Sequence, residues 1–123
     1  MNQKITNNYK KNTSLSEKLF KESLKSLAGG VGGSSPSYDP YPVFIDKAKG
    51  SKIWDVDGND YIDFNLCWGV LMVGHSHPKI VKGLKNQLER GTIYGLPHRD
   101  SMELAESIVD RFPVDKVRFT NSG

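Results

Sequence analysis

The sequence has 123 residues, 37% hydrophobic and 25% charged, with 12 glycines and 6 prolines, which is ordinary globular material and one domain's worth of chain at most. Seventeen lysines and arginines against 14 acids give a net charge of +3, yet six basic and only two acidic side chains fall in residues 1–30, leaving 11 basic against 12 acidic in residues 31–123. The positive charge therefore belongs to the amino-terminal stretch, which argues against a nucleic-acid or membrane-surface partner, since either favours a basic patch on the folded part.

Cys67, the single cysteine, has no internal disulfide partner and suits a reducing compartment. No run approaches the ~18 apolar residues of a membrane span, and residues 1–13 lack the apolar centre of a signal peptide. A soluble cytoplasmic protein is expected.

Residues 1–13 (MNQKITNNYKKNT) are polar and without periodicity, and read as a flexible tail. Ser14 and Glu17 stand at capping-box spacing, and Leu15, Leu19, Phe20, Leu24 and Leu27 form a stripe at helical spacing that Gly29-Gly30 stops. An amphipathic helix is predicted there. Residues 29–42 hold four glycines and three prolines, and a loop of this length is usually a linker or functional. Val43–Ile45, Ile53–Asp55 and Tyr61–Phe64 then read as strands of an antiparallel meander. Asp57-Gly58 between the last two tolerates the positive φ of a tight turn, with its acids facing water. A calcium loop is rejected for the same stretch, because an EF-hand counted from Asp55 would need Gly at position 60 and Glu at position 66, where Asp60 and Leu66 stand.

The run Leu66–Val73 is apolar apart from Trp68-Gly69. Trp68 reads either as core or as one wall of a substrate pocket that Gly69 lets a ligand approach. His75 and His77, with Cys67, His98 or Asp63, invite a zinc reading, but no second ligand pair exists and no metal is assigned. The structural alternative has one histidine capping a helix over Pro78–Arg90 and the other packing or bonding backbone. Asp100 with Glu103 marks the start of a further helix, whose apolar face runs from Met102 to Phe112 before Pro113 ends it. Val117–Thr120 reads as a strand entering Asn121-Ser122-Gly123. A strand leading into such a turn is either a plain β-turn or the start of a helix N-terminus that binds phosphate.

Four blocks carry a family resemblance. They are Gly29-Gly30-Val31 with Ser34-Ser35-Pro36; the hairpin Ile53-Trp54-Asp55-Val56-Asp57-Gly58-Asn59-Asp60-Tyr61-Ile62-Asp63-Phe64; Trp68-Gly69 with Gly74-His75-Ser76-His77-Pro78; and Val117 to Gly123. Together they resemble the class III pyridoxal-phosphate-dependent aminotransferases, in particular the glutamate-1-semialdehyde 2,1-aminomutase branch. The resemblance spans about residues 14–123 and implies an α/β chain, the N-terminal portion of a PLP-dependent transferase of fold type I. Residues 14–73 would be an N-terminal segment of helix, glycine-rich loop and antiparallel strands, and residues 74–123 the truncated start of the large PLP-binding domain. It also implies a pyridoxal 5'-phosphate cofactor, a small amino-acid or amino-aldehyde substrate, and a homodimer.

Residue by residue, the resemblance implies that Ser122 and Gly123 begin the cofactor-phosphate loop, that Trp68 lies beside the substrate, and that Ser35 helps bind a substrate carboxylate. Relatives commonly carry arginine shortly after that Ser-Pro, whereas Ser37-Tyr38 follow here, so no bidentate guanidinium is offered. The Schiff-base lysine would lie past Gly123, and Lys79, Lys82 and Lys85 are expected on a solvated helix face. The fragment alone is expected to be inactive. The competing reading is a non-catalytic remnant, or an interaction module working through its amphipathic helices.

Overall fold

A computed structural model describes residues 3–32 and 38–121. Helix α1 covers Gln3–Asn12 and α2 covers Ser14–Ser23. A 3-10 turn at Ala28–Gly30 follows, then strands β1 (Ile45–Lys49), β2 (Lys52–Asp55) and β3 (Asp60–Ile62). The strands form one antiparallel meander in the order β1-β2-β3, with Ala48 opposite Ile53 and Ile53 opposite Tyr61. Helices α3 (Pro78–Leu88) and α4 (Arg99–Val109) complete the elements. The chain divides into two compact units, residues 1–81 and 82–123.

An antiparallel meander forms as expected and Gly58 takes the positive φ of +90° that its turn requires, but the first strand is Ile45–Lys49 rather than Val43–Ile45 and the third is Asp60–Ile62 rather than Tyr61–Phe64. The first strand begins only at Ile45, because the chain before it is engaged with α2. Phe44 N–H donates to Ser16 Oγ at 3.2 Å, while Val56 N–H reaches Phe44 O at 2.8 Å.

Residues 3–12 are helical rather than a tail. What holds them lies far along the chain: Tyr9 OH donates to Tyr41 O at 2.6 Å, their rings stand 5.3 Å apart, and Thr13 Oγ1 donates to Tyr9 O at 2.7 Å. Composition registers only the polarity of this stretch, and Tyr41 supplies the surface it packs on. Burial pushes the Tyr9 phenol up, and the neighbouring Tyr38 adds to the shift.

Of the acids of the hairpin turn, Asp60 faces water and pairs there with Lys52 at 2.7 Å, but Asp55 does not. Asp55 is 2% exposed and its carboxylate gathers four donors: Asp57 N–H at 3.0 Å, Asn59 N–H at 2.8 Å, Asn59 Nδ2 at 2.8 Å and Tyr61 OH at 2.7 Å. Burial by itself raises this carboxyl's pKa, and the hydrogen bonds from Asn59, Tyr61 and Asp57 outweigh it, so the group sits below the usual carboxylate range. Tyr61, half-buried and bonded to that carboxylate, is pushed up to about 12.

Asp57 caps α2 from across the fold, accepting Leu15 N–H at 2.7 Å, Ser16 N–H at 2.9 Å and Ser16 Oγ–H at 2.9 Å. The expected Ser14–Glu17 box does not form: Glu17 N–H reaches Thr13 O at 3.1 Å, and the Glu17 carboxylate pairs with Lys21 at 2.7 Å. The helix stops at Ser23, short of Leu27, where Ser23 Oγ donates to Phe20 O and Gly30 O. Among the described residues the buried set is small: Tyr41, Pro42 and Gly30 with the polar Thr13, Ser16 and Asp55.

In the second unit, Tyr94 stacks on His98 with centroids 4.7 Å apart, and Tyr94 OH donates to Arg90 O at 2.7 Å and Gly91 O at 2.8 Å. These contacts fold the loop after α3 back on itself. His98 rather than Asp100 caps α4: its Nδ1 accepts Asp100 N–H at 3.4 Å, while Glu103 is drawn to Arg99 at 2.7 Å. Val117–Thr120 pairs with no strand among the described residues, so it is not a strand here. An extended segment gains a ladder only when a neighbour supplies it.

Candidate functional site

The apolar run after β3 folds in a way its composition does not suggest. Leu66, Cys67, Trp68 and Gly69 take φ of +49°, +51°, +57° and +82°, four consecutive left-handed residues making one tight turn over Leu66–Gly69. Non-glycine residues rarely enter this region, and three in succession cost roughly 3–6 kcal/mol at 1–2 kcal/mol each. Local hydrogen bonds offset this. Asn65 Oδ1 accepts Trp68 N–H at 3.1 Å, Gly69 N–H reaches Asn65 O at 3.2 Å, and Leu71 N–H closes onto Leu66 O at 3.0 Å.

Before the turn, Asp63 Oδ1 accepts Asn65 N–H at 2.9 Å and Leu66 N–H at 3.0 Å. After it, His75 Nε2 stands 2.7 Å from Asp63 Oδ2, and the His75 and Gly50 backbones exchange two hydrogen bonds of 2.8 Å. The His75 bond, helped by the Leu66 and Asn65 amides, holds the Asp63 carboxyl below its usual range. The Gly50–His75 bridge ties the segment after the turn to the meander within the first unit. Gly74 admits no side chain, since a Cβ would lie 2.9 Å from Gly50 O.

Trp68 is 67% exposed and is not core, and Phe64, Val70 and Met72 beside it are more exposed still. Of the four residues singled out as site residues, Trp68 alone lies within the described residues; Ser35, Ser122 and Gly123 fall outside them. Next to the expected substrate loop, Leu27, Gly30, Tyr38, Pro42 and Phe44 surround an apolar cavity of about 370 Å³. The zinc reading gains nothing: His75 is spent on Asp63, and among the described residues no three His, Cys, Asp or Glu side chains converge. Neither histidine caps α3 through its side chain; His77 contributes its backbone carbonyl, which accepts Val81 N–H at 3.0 Å.

A family model for class III aminotransferases matches residues 34–123. The chain belongs to the class III aminotransferase family. It is 50% identical over 109 residues to a glutamate-1-semialdehyde 2,1-aminomutase from Methanobrevibacter smithii, a match covering 88% of this chain and 26% of that protein. Its fold matches a β-phenylalanine aminotransferase from Variovorax paradoxus at a TM-score of 0.89 and 28% identity, over 96% of this chain and 28% of that one. A transaminase solved with PLP bound matches at a TM-score of 0.76 and 31% identity, over 80% of this chain and 23% of that one. The chain thus spans about a quarter of the length of the curated relatives it matches.

Class III aminotransferases depend on pyridoxal phosphate. The donor chemistry of the last seven residues would suit an anion. Val117 to Gly123 contains no acid, carries Arg118, and ends in the Ser122 hydroxyl and the Ser122 and Gly123 N–H groups, all donors.

Proposed function

We propose that this chain forms the N-terminal portion of a pyridoxal-phosphate-dependent aminotransferase or aminomutase that moves an amino group through a Schiff base. Its substrate would be a small amino acid or amino-aldehyde of the glutamate-1-semialdehyde kind. The observation that carries this reading is the 50% identity to an aminomutase over 88% of the chain.

When bound, the cofactor supplies an electron sink that stabilises negative charge on the substrate carbon losing its proton. This chain's part is to bind and orient. Ser122 and Gly123 would donate to the cofactor phosphate, Ser35 would hydrogen-bond a substrate carboxylate, and the exposed Trp68 indole would form an apolar wall that excludes water beside it. With Ser37-Tyr38 in place of the arginine common in relatives, carboxylate recognition at that loop would rest on neutral donors. Lys79, Lys82 and Lys85 are exposed along α3, and none is assigned the Schiff base. The reading also takes the whole protein as a cytoplasmic homodimer.

The test is to purify the protein encoded by the complete gene, add pyridoxal phosphate, and reduce with borohydride. The pyridoxyl group should then stay on a lysine-bearing peptide from beyond Gly123 in the mass spectrum. A protein that folds but retains none overturns the enzymatic reading in favour of a non-catalytic remnant or a helix-mediated interaction module.

A further inference from the structure

Left-handed residues outside glycine occur singly, and a run of them persists only where the surroundings over-determine it. For Leu66–Gly69 the Asn65 side chain holds Trp68 N–H within the turn, and the Asp63 carboxylate holds its entry. One of its oxygens takes the N–H groups of Asn65 and Leu66 at the mouth of the turn, and the other meets His75 Nε2 at 2.7 Å. Because an ionised carboxylate can only accept, Nε2 carries the proton in that contact. His75 is itself fixed by its paired backbone bonds to Gly50, and next to it Ser76 Oγ donates to Ala48 O at 3.1 Å. A single carboxylate therefore ties the meander to the first residues of the turn that carries Trp68.

The exposures give the direction of this support. The Asp63 side chain is 9% exposed and that of His75 24%, whereas Trp68 is 67% exposed. The anchors are covered and the indole they hold is presented outward, as suits a side chain meant to meet something other than its own core. We infer that Asp63, held by His75, is a positioning residue that sets the orientation of Trp68 toward the substrate. The inference rests on the preceding reading, in which Trp68 stands beside the substrate.

The test is a double-mutant cycle in steady-state kinetics on the full-length, cofactor-loaded enzyme, comparing wild type, Asp63→Ala, Trp68→Ala and the double variant, with bound cofactor absorbance as the measure of folded protein. Asp63→Ala is expected to raise KM about tenfold at nearly unchanged kcat and cofactor content, and to add no more than about twofold to Trp68→Ala. Asp63→Asn, whose amide oxygen still accepts the two N–H groups, should bring KM back to within about threefold of wild type. Should Asp63→Ala not accumulate as folded protein, His75→Ala replaces it in the same cycle, with a rise in KM of about threefold that again vanishes in the Trp68→Ala background. Full additivity with Trp68→Ala, or a kcat that falls in step with cofactor content, overturns the positioning role alone. A cofactor-loaded wild type with no turnover overturns the substrate-site reading and this role with it.

Discussion

Replacing Asp57 by alanine removes the cap of α2 from outside the helix. Three donors lose their acceptor at once: Leu15 N–H, Ser16 N–H and the Ser16 hydroxyl, the last on a residue with no exposure. Loss of a helix cap costs about 1 kcal/mol, and stranding a buried hydroxyl donor adds about 1–3 kcal/mol. The sum is roughly 2–4 kcal/mol, or about 30- to 700-fold in an opening equilibrium at 1.4 kcal/mol per tenfold. Native-state amide hydrogen exchange across α2 in the full-length protein reads this directly. Asp57→Ala should accelerate exchange by that factor, while Asp46→Ala, at an exposed strand position, should leave it within about threefold. If Asp57→Ala changes exchange no more than Asp46→Ala does, the carboxylate is not the cap and the reasoning fails.

Acid should weaken the first unit. Asp55 and Asp63 have folded-state pKa values below the ordinary carboxylate value, so their stabilisation is fully present above about pH 4 and is lost as pH falls through the lower folded values. Denaturant titrations at stepped pH should therefore show stability level from pH 7 to 5 and falling below about 4, less steeply in Asp55→Asn, whereas a rise on acidification would contradict the assignment. Gly30 has φ +71°, and a Cβ there would lie 2.6 Å from Phe20 Cε2; Gly30→Ala should cost about 1–3 kcal/mol in thermal unfolding, and a neutral result would refute this packing. Cys67→Gly should relieve one strained left-handed residue and raise stability by about 0.5–1 kcal/mol after the entropy of the added glycine is counted, and a loss would argue against the left-handed turn.

The parts of the fold visible in the sequence are those whose causes are local. Asp57-Gly58 announces the hairpin because only a few residue types accept its φ, and the stripes at helical spacing announce α2, α3 and α4. What escapes is governed by residues distant along the chain. Helix α1 depends on Tyr41, and α2 is capped by Asp57, so neither a polar composition at 3–12 nor a nearby serine could reveal them. At α4 the nearer residue, His98, takes the cap because Glu103 is drawn to Arg99.

The candidate site divides the same way. Trp68-Gly69 stood out by residue type, but its left-handed backbone has only a faint local signature. That signature is the pair Asp63 and Asn65, whose short side chains bond amides just ahead of them. The Asp63–His75 contact joins two residues that the sequence brought together only in the zinc reading. Their pairing needed the Gly50–His75 bridge, a contact between chain segments that no periodicity encodes.

The proposed role of this chain in amino-group transfer at a pyridoxal-phosphate site is tested by turnover of the full-length protein. Purified, loaded with pyridoxal phosphate and given glutamate-1-semialdehyde with no second amino donor or acceptor, it should shift the amino group from C2 to C1. Loss of that turnover on removing the cofactor and its return on adding it back is the predicted result. A folded, cofactor-loaded protein inert toward this substrate and toward amino acids paired with keto-acid acceptors would rule out the proposed amino-group transfer.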